Sequence, residues 1–449
     1  MPPSGMGRFA ILLVAACSAT PSPSPPTAAR GLAAEVDAYL APLAAIDVFQ
    51  GAVLIARGDS IVLAKGYGLA NLELGVANTP TRVFRIASLS KAFTQVALGK
   101  LVEDGKLALT DPLSRYLPGH PQGDRITIEM LRTHRAGIAN ENSIPYDEEA
   151  TAPNTLARMV DKLMSLPLKF EPGARTGYSN GGYALLAAVI EKATGLSYAD
   201  YLERVVLRPL ELTHTQHEAD RLVIANRAFG YVPGPARRHD IMVAPFQEMA
   251  TKTGGGSLVS TVEDLHRFLR AFYRDNAIRS DTWKQLFPVE DGTIAFQGRC
   301  PGYNVFMIRD VEHDVDAVVL ANNYAAGMVA TIGRDLVALA RGLAVERPRW
   351  RADLTIDARQ ARAYTGTYRA PPGQLPYDRG PFAIAWHGDE LVVMDEGTPL
   401  DVLLPQGEGA FLARIYWSEF RFVTTDGKPR ATVRPLWLER EPIPLERLD

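Results

Sequence analysis

The chain has 449 residues, of which 47% are hydrophobic and 22% are charged, and its formal net charge is −3. This length allows one large folded domain and a smaller one. The near-neutral charge argues against a nucleic-acid-binding protein, because such proteins concentrate Lys and Arg on one surface. We expect the short cluster Arg237-Arg238-His239 to be a solvated loop. The eight histidines have no carboxylate or cysteine companions at ligand spacing, so we expect no metal site.

The first 28 residues have the pattern of an export signal followed by a linker. Arg8 precedes the apolar run 9–16, which is too short to span a bilayer but fits the core of a signal peptide. Val14-Ala15-Ala16-Cys17 resembles the lipobox of bacterial lipoproteins, in which Cys17 would be lipidated. An ordinary signal that is cleaved within the linker is the alternative. The Pro- and Ser-rich residues 18–27 would then tether the folded body to a membrane.

Residues 29–346 have the pattern of an α/β domain. Helical periodicity covers 32–43, and 51–63 is expected to form two strands joined by a turn. Apolar strands at 306–309 and 317–321 are expected to return to the same sheet, and a helix at 332–343 closes the domain. The intervening helices then pack on the sheet or form a separate lobe, and a cleft between sheet and lobe is the expected position of a site.

Ser88-Leu89-Ser90-Lys91 is the stretch with the clearest chemical meaning. The apolar run 93–102 predicts a helix that starts here, which places the Lys91 amine beside the Ser88 hydroxyl because residues i and i+3 are neighbours on a helix. A serine beside an amine is a candidate nucleophile with its base. At a helix start the Ser88 N–H also points outward, where it can bind an oxyanion. The pattern alone is common by chance and needs partners.

The candidate partner is Tyr178-Ser179-Asn180, which follows the Pro172-Gly173 turn and begins a second apolar helix. Tyr178 can share a proton with Lys91 and so help to deprotonate the serine. The Asn180 amide has both an acceptor and donors, so it can hold Lys91, the other member of the pair, close to a substrate carbonyl. A tyrosine and an asparagine after such a turn also occur as plain turn and cap residues, which is the alternative.

Together these segments resemble the penicillin-recognising serine hydrolases of the class C β-lactamase type, which include D,D-carboxypeptidases, D-aminopeptidases and esterases. The resemblance covers about residues 30–345 and rests on six ordered segments: 49–55, 84–91, 126–134, 178–180, 254–265 and 318–322. It implies a β-lactamase-like antiparallel sheet flanked by helices, with a helical lobe. It also implies that Ser88 is the acylated nucleophile, that Lys91 and Tyr178 form the general base pair, and that Asn180 contacts substrate.

The third motif of this family, Lys-Thr-Gly or His-x-Gly on the strand beside the site, is altered here. A literal Lys252-Thr253-Gly254 exists, but it precedes the Gly-rich loop, and we interpret it as a coincidental match. The strand expected to carry the motif is 296–303, where Phe296 occupies the position of the cation that binds a substrate carboxylate. Gly298 and Arg299 are expected to offer backbone N–H groups to an oxyanion, and the Arg299 side chain is a candidate for the missing charge.

The pattern changes to short strands and turns from about residue 351 to 449. Seven strands are expected, at 363–368, 382–386, 390–394, 401–404, 411–414, 420–424 and 432–438. Thr365-Gly366-Thr367-Tyr368 resembles the opening of the lipocalin-like domain found behind some hydrolases of this family, so we expect a small all-β barrel-like domain. Its aromatic residues are expected to form the barrel core rather than a carbohydrate platform: Trp386, Trp417, Phe420, Phe422 and Trp437. A sharper hypothesis is that this domain gates the cleft or recognises a partner.

The sequence therefore predicts an exported serine hydrolase, periplasmic or in the cell envelope and anchored by a lipid at Cys17, that forms an acyl-enzyme on Ser88. Its substrates would be D-amino-acid peptides, β-lactams or small esters, and the altered third motif makes penicillinase activity the least expected of these. The alternative is a non-catalytic lipoprotein that keeps the fold to bind peptidoglycan or a protein partner. No cofactor and no nucleic-acid partner are expected.

Overall fold

The computed structural model describes most of the chain after the predicted signal and linker. The described residues are 27–140, 155–218, 222–323, 328–346, 354–372, 374, 380–415, 417–425, 428–436 and 441–449. The predicted lipid site Cys17 and the barrel residue Trp437 lie outside these ranges. None of the described helices combines the length and the apolar composition needed to cross a membrane.

The helices of the described residues are mostly short. The α-helices are α1 (Thr27–Ala45), α2 (Ser90–Glu103), α3 (Ile128–Arg132), α4 (Leu156–Ser165), α5 (Asn180–Thr194), α6 (Tyr198–Leu202), α7 (Val262–Ala271), α8 (Ser280–Leu286), α9 (Met328–Ala340) and α10 (Ala358–Ala361). Turns of 3₁₀ helix cover Ala87–Leu89, Leu113–Arg115 and Met249–Lys252, and Glu203–Leu207 is a π-helical turn. Ser179 caps α5 by accepting a hydrogen bond from the Gly182 N–H at 3.0 Å, so the helix begins directly after Tyr178.

The first twelve strands build the large domain. They are β1 (Gly51–Arg57), β2 (Ser60–Tyr67), β3 (Leu69–Asn71), β4 (Val76–Ala77), β5 (Phe84–Arg85), β6 (Gln216–His217), β7 (Tyr231–Pro233), β8 (Ile241–Val243), β9 (Leu258–Ser260), β10 (Thr293–Cys300), β11 (Tyr303–Asp310) and β12 (Val315–Ala321). The main sheet has the order β10-β11-β12-β1-β2 and all its pairings are antiparallel. The predicted hairpin near the start of the domain and the late return strands are therefore confirmed.

Side-chain alternation along the strands divides this sheet into two buried faces. Ala52 and Leu54 of β1 lie on one face, in a core that also contains residues of α2, α5 and α7. Val53 and Ile55 lie on the opposite face, in a core that contains residues of α1 and α9. The helices that carry the predicted site residues are thus all on the first face.

The C-terminal region is a closed antiparallel barrel. Its strands are β13 (Gly366–Arg369), β14 (Phe382–His387), β15 (Glu390–Asp395), β16 (Thr398–Gly407), β17 (Ala410–Ala413), β18 (Ser418–Thr425), β19 (Lys428–Pro435) and β20 (Ile443–Arg447). The predicted all-β barrel is confirmed, but β20 was not expected. This strand pairs with both β13 and β19, and without it the barrel would have open edges.

The barrel shares a core with the large domain. Phe420 packs inside the barrel as expected and is 6% exposed. Trp417, which was also expected there, instead joins the cluster formed by the second sheet face, α1 and α9. Four aliphatic residues of the barrel belong to the same shared cluster: Val392, Val402, Leu404 and Leu412. Continuous apolar packing of this kind predicts that the two parts unfold together.

Replacing Trp417 with Ala is expected to lower the free energy of unfolding by about 3–5 kcal/mol, because it removes a large side chain from the shared core. Denaturant unfolding monitored by circular dichroism measures this loss. Val423→Ala is the control, since Val423 lies in the barrel and is 44% exposed. A separate early transition of the barrel, with the main transition unchanged, would contradict the shared core.

Candidate active site

Ser88 lies at a tight turn between β5 and α2. Ala87 adopts a left-handed backbone conformation, with φ of 45°, and the 3₁₀ turn Ala87–Leu89 leads directly into the α-helix at Ser90. This conformation is uncommon for a residue with a side chain, so the turn is a strained one. Ala87 and Leu89 are buried while Ser88 is partly exposed. The turn therefore anchors itself in the core and presents the Ser88 hydroxyl to the cleft.

The Lys91 amine joins three separate segments of the chain. Its Nζ donates hydrogen bonds to Ser88 Oγ at 3.1 Å, to Asn180 Oδ1 at 2.6 Å and to the Gly255 carbonyl at 2.7 Å. Lys91 is only 6% exposed. Three acceptors match the three N–H groups of an ammonium, whereas a neutral amine has two. The geometry is therefore that of a charged, nearly dry lysine touching the candidate nucleophile.

Tyr178 contacts the same hydroxyl from the solvent side. Its Oη lies 2.7 Å from Ser88 Oγ, and the ring is 52% exposed. Because Tyr178 Oη donates its single proton to Asn180 Oδ1 at 3.3 Å, the Ser88 hydroxyl is the group that can donate to Tyr178 Oη. Ser88, Lys91 and Tyr178, which were predicted from the sequence, are thus in mutual contact at the mouth of one cleft.

Asn180 holds the lysine and is itself held by Asn140. Its Oδ1 accepts from Lys91 and, at 3.3 Å, from Tyr178 Oη. Its Nδ2 and its backbone N–H both donate to Asn140 Oδ1 at 3.2 Å. These bonds fix which way the amide points. The predicted contact of Asn180 with substrate stays a prediction, and in this structure the residue positions Lys91.

His134 brackets Tyr178, a contact that the sequence analysis did not identify. The His134 carbonyl accepts the Gly177 N–H at 2.8 Å, and Nδ1 accepts the Ser179 N–H at 3.2 Å. The imidazole also lies against the Tyr178 ring, with 4.6 Å between the centroids. Burial, together with the nearby Lys91 charge, lowers the pKa of His134 to about 4. A neutral ring is the form that can accept a hydrogen bond at Nδ1. The only sign of His134 in the sequence is its position at the end of segment 126–134, which resembles the family.

Gly298 of the edge strand β10 lies directly against the turn of Ser88. A Cβ on Gly298 would fall 2.4 Å from the Ile86 carbonyl oxygen and 3.0 Å from Ser88 N, and both are backbone atoms that cannot move aside. Only glycine allows this approach. Pro301 and Gly302 form a two-residue turn, so Cys300 and Tyr303 are the bonded pair and the Arg299 N–H points away from β11.

Phe296, at the expected position of the third motif, makes contacts with two aromatic rings. Its ring centroid lies 5.9 Å from that of Phe272 and 5.6 Å from that of Phe287. A cavity of about 720 Å³ includes Phe296 and Arg132 in its lining. The Arg132 guanidinium donates to both carboxylate oxygens of Glu129, at 2.8 and 2.6 Å, so its charge is already paired. The Arg299 side chain is exposed on the opposite face of β10 from Phe296.

The literal Lys252-Thr253-Gly254 is not on the site strand, but its loop does contribute to the site. Met249–Lys252 is a 3₁₀ turn, and the next residues carry the Gly255 carbonyl that binds Lys91. Gly254 has a φ of 78°, and a Cβ there would lie 2.4 Å from the Tyr183 carbonyl oxygen. A backbone acceptor leaves no side-chain signal, which is why the sequence did not reveal it. Among the described residues, no group of three His, Cys, Asp or Glu side chains could hold a metal ion.

Comparison with known proteins identifies relatives over the large domain and beyond. Penicillin-binding protein 4* of Bacillus subtilis is 30% identical over 311 residues, which are 61% of this chain and 68% of that protein. The octameric penicillin-binding protein homologue from Pyrococcus abyssi has a similar structure, with a TM-score of 0.62, 21% identity and coverage of 92% of this chain and 100% of the other. D-amino acid amidase from Ochrobactrum anthropi SV3 also has a TM-score of 0.62, with 22% identity over 70% of this chain and 99% of the amidase.

The family model described as beta-lactamase matches residues 36–342. This range is more than half of the chain, and it contains the turn of Ser88, the bracketed Tyr178 and the strand of Gly298. The chain belongs to the beta-lactamase family.

Proposed function

We propose that this protein is a hydrolase that forms an acyl-enzyme on Ser88 and acts on small esters and on amides of D-amino acids. The observation that carries this proposal is the position of one hydroxyl, 2.7 Å from Tyr178 Oη and 3.1 Å from Lys91 Nζ. A serine becomes nucleophilic when a neighbouring group removes its proton. Here both the proton acceptor and a nearby positive charge are already in contact with it.

In the proposed reaction, Tyr178 carries a proton from Ser88 to the leaving group. Tyr178 first loses its own proton to solvent, and the Lys91 ammonium, 4.9 Å from the centre of its ring, stabilises the phenolate. Ser88 Oγ then forms a bond to the substrate carbonyl carbon while its proton passes to Tyr178 Oη. The carbonyl π bond opens to an oxyanion. The oxyanion then re-forms the carbonyl π bond as the carbon–oxygen or carbon–nitrogen bond to the leaving group breaks, and the leaving group takes the proton from Tyr178. Water repeats the sequence on the acyl-enzyme and restores Ser88.

The N–H groups of Ser88 and Arg299 are the proposed donors to the oxyanion. A Cβ at Gly298 would contact Ser88 N, so β10 runs close enough for one oxygen to reach both strand and turn. Preorganised donors of this kind stabilise charge that develops in the transition state. The role proposed for Gly298 is to permit this approach rather than to donate itself.

The substrate preference follows from Phe296. An aromatic ring at the third-motif position offers no cation to a substrate carboxylate, and the nearby Arg132 is paired with Glu129. Neutral esters and amides are therefore proposed to react better than β-lactams, which carry a carboxylate. The amidase activity named for the Ochrobactrum protein and the penicillin binding named for the Bacillus relative support an acyl-transfer reaction on ester or amide carbonyls.

The proposed location is the cell envelope, with a lipid on Cys17 as the anchor. The support is the order of Arg8, the apolar run 9–16 and Cys17, followed by a Pro- and Ser-rich linker. A linker of this composition, which would end where α1 starts, would place the cleft within reach of envelope substrates.

A fluorophosphonate probe is expected to label the wild-type protein on Ser88, because it reacts with activated serines without needing a particular acyl group. Peptide mass spectrometry locates the adduct. Ser88→Ala is expected to abolish labelling, and Ser60→Ala, at an exposed serine on β2, is the control that retains it. An unlabelled wild-type protein would favour the non-catalytic lipoprotein instead.

Phe296→Lys is expected to raise acylation by a fluorescent penicillin, relative to hydrolysis of p-nitrophenyl acetate, by about tenfold. The physical reason is that an ammonium at this position can form a charge-assisted hydrogen bond to the carboxylate. Gln297→Lys is the matched control, since residue 297 is exposed on the opposite face of the same strand. An equal gain in both variants would show that general charge attraction, and not the third-motif position, controls the preference.

The stability of the protein is expected to fall as the pH decreases from about 6.5 to about 4. The pKa of His134 is about 4 in the folded protein and about 6.5 when unfolded, so the unfolded state binds more protons in this window. Protonation also places an N–H where Nδ1 must accept from Ser179, so kcat/KM should decline as pH falls through about 4.

Unfolding free energy measured against pH tests this prediction in wild type and in His134→Asn, which should have a shallower slope across the window. His387→Asn, at an exposed histidine of the barrel, is the control. Identical slopes in wild type and His134→Asn would contradict the assignment of a neutral His134.

A further inference from the structure

Arg414 is a fully buried cation whose side chain leaves the barrel and enters the large domain. It follows β17, is 0% exposed, and its guanidinium donates to the backbone carbonyls of four residues: Gly234 at 3.1 Å, Arg237 at 3.4 Å, Asp240 at 3.3 Å and Arg238. Asp401 fixes the backbone on either side by accepting the N–H groups of Arg414 and Ile415, at 3.1 and 2.8 Å. A buried arginine that binds four carbonyls of one turn constrains that turn strongly.

A second contact joins the same turn to the barrel, and here the arginine belongs to the turn. Arg238 pairs with Glu390 of β15 through two hydrogen bonds, of 2.7 and 3.0 Å, and donates to the Leu354 carbonyl at 3.1 Å. The side chain of Arg238 is only 14% exposed. The expectation of a solvated loop at Arg237-Arg238-His239 is therefore wrong for Arg238, because a partner about 150 positions away in sequence was not visible from the local composition.

The turn that the barrel holds is the tip of a hairpin formed by β7 and β8, which we call the 231–243 hairpin. Its base packs on the turn that follows β10: a Cβ on Gly302 would lie 2.6 Å from both Gly230 Cα and Ala244 Cβ. β10 itself runs back to Gly298, beside Ser88 N. The hairpin is thus connected to the catalytic strand by direct backbone packing.

The chain that leaves the hairpin leads to the catalytic lysine. After Val243 it passes through Phe246 and the 3₁₀ turn Met249–Lys252, and it reaches the Gly255 carbonyl that binds Lys91. The hairpin is therefore joined to the site in two ways, by packing on the turn that follows β10 and by the chain that leads to Gly255. Four large apolar side chains on or beside it are about half exposed: Phe229 at 50%, Met242 at 48%, Val243 at 61% and Phe246 at 53%. Met242 and Val243 are adjacent on β8 and therefore point to opposite faces, and Met242 shares with Ala244 the face that packs on Gly302. Exposed apolar side chains on that face, beside the turn that follows β10, indicate a binding surface.

We propose that the barrel is a specificity element: it fixes the 231–243 hairpin through Arg414 and Glu390, and exposed apolar side chains of the hairpin bind the apolar part of the acyl group of an ester or amide substrate. This inference rests on the proposed acyl transfer at Ser88. Arg414 is a positioning residue, because it acts through the hairpin and not on the substrate. Binding of an acyl chain by these side chains buries apolar surface on both partners.

The test compares hydrolysis of p-nitrophenyl octanoate with hydrolysis of p-nitrophenyl acetate. Arg414→Met removes the donors but keeps an apolar stem, and it is expected to lower the octanoate-to-acetate ratio of kcat/KM by about tenfold, through KM for octanoate. Phe246→Ala should lower the ratio in the same way. The matched controls are Arg434→Met, an exposed arginine on β19, and Ile61→Ala, an apolar residue 45% exposed on the opposite edge strand β2.

The outcomes separate this inference from the proposed function. A wild type that hydrolyses neither ester and binds no fluorophosphonate would overturn both. A wild type that hydrolyses both esters, with an unchanged ratio in Arg414→Met and Phe246→Ala, would overturn only the role of the barrel and hairpin. If Arg414→Met does not fold, Glu390→Gln and Phe246→Ala test the same role. An unchanged octanoate-to-acetate ratio of kcat/KM in both variants would overturn the role of the barrel and hairpin.

Discussion

The site depends on one ammonium group that is removed from water and surrounded by acceptors. Lys91 Nζ binds the Ser88 turn, the start of α5 and the Gly255 loop, and Gly255 lies 164 positions after Lys91 in the sequence. A buried charge is costly unless every N–H has a partner, so these three segments can move apart only at a large energetic cost. The same arrangement that stabilises the charge orients the serine toward Tyr178.

The two faces of the central sheet pack against different parts of the protein. One face packs against the helices that carry Ser88, Lys91 and Asn180, and the other packs against α1, α9 and the barrel. Because both of their faces are buried, the three central strands β11, β12 and β1 are nearly continuous apolar runs. The barrel also contacts the catalytic side indirectly. Arg414 binds the 231–243 hairpin, and that hairpin packs against the turn that follows β10. The barrel is therefore both part of the second core and a constraint on the rim of the cleft.

The features that the sequence predicts well are those with a local signal. The i to i+3 spacing of Ser88 and Lys91 survives even though the α-helix begins two residues later, because the 3₁₀ turn keeps the two side chains on one side. The strand β20 escaped prediction because Pro442 and Pro444 interrupt its short apolar alternation. The Gly255 carbonyl and the four carbonyls bound by Arg414 are backbone groups, and residue identity says nothing about where they point. The orientation of Asn180 depends on Asn140, 40 positions earlier, and no local pattern links the two.

The role of Lys91 is tested most directly by the rate at which Ser88 becomes acylated when the lysine is changed. We expect rapid quenching during turnover of p-nitrophenyl acetate to trap an acetyl group on Ser88 in the wild type. Lys91→Gln keeps a donor but removes the charge, and we expect it to be acylated roughly a hundredfold more slowly, which is the typical effect of removing a positioned acid–base group. An acetyl group on another residue would show that Ser88 is not the nucleophile, and acylation of Lys91→Gln at the wild-type rate would show that the buried ammonium does not activate it.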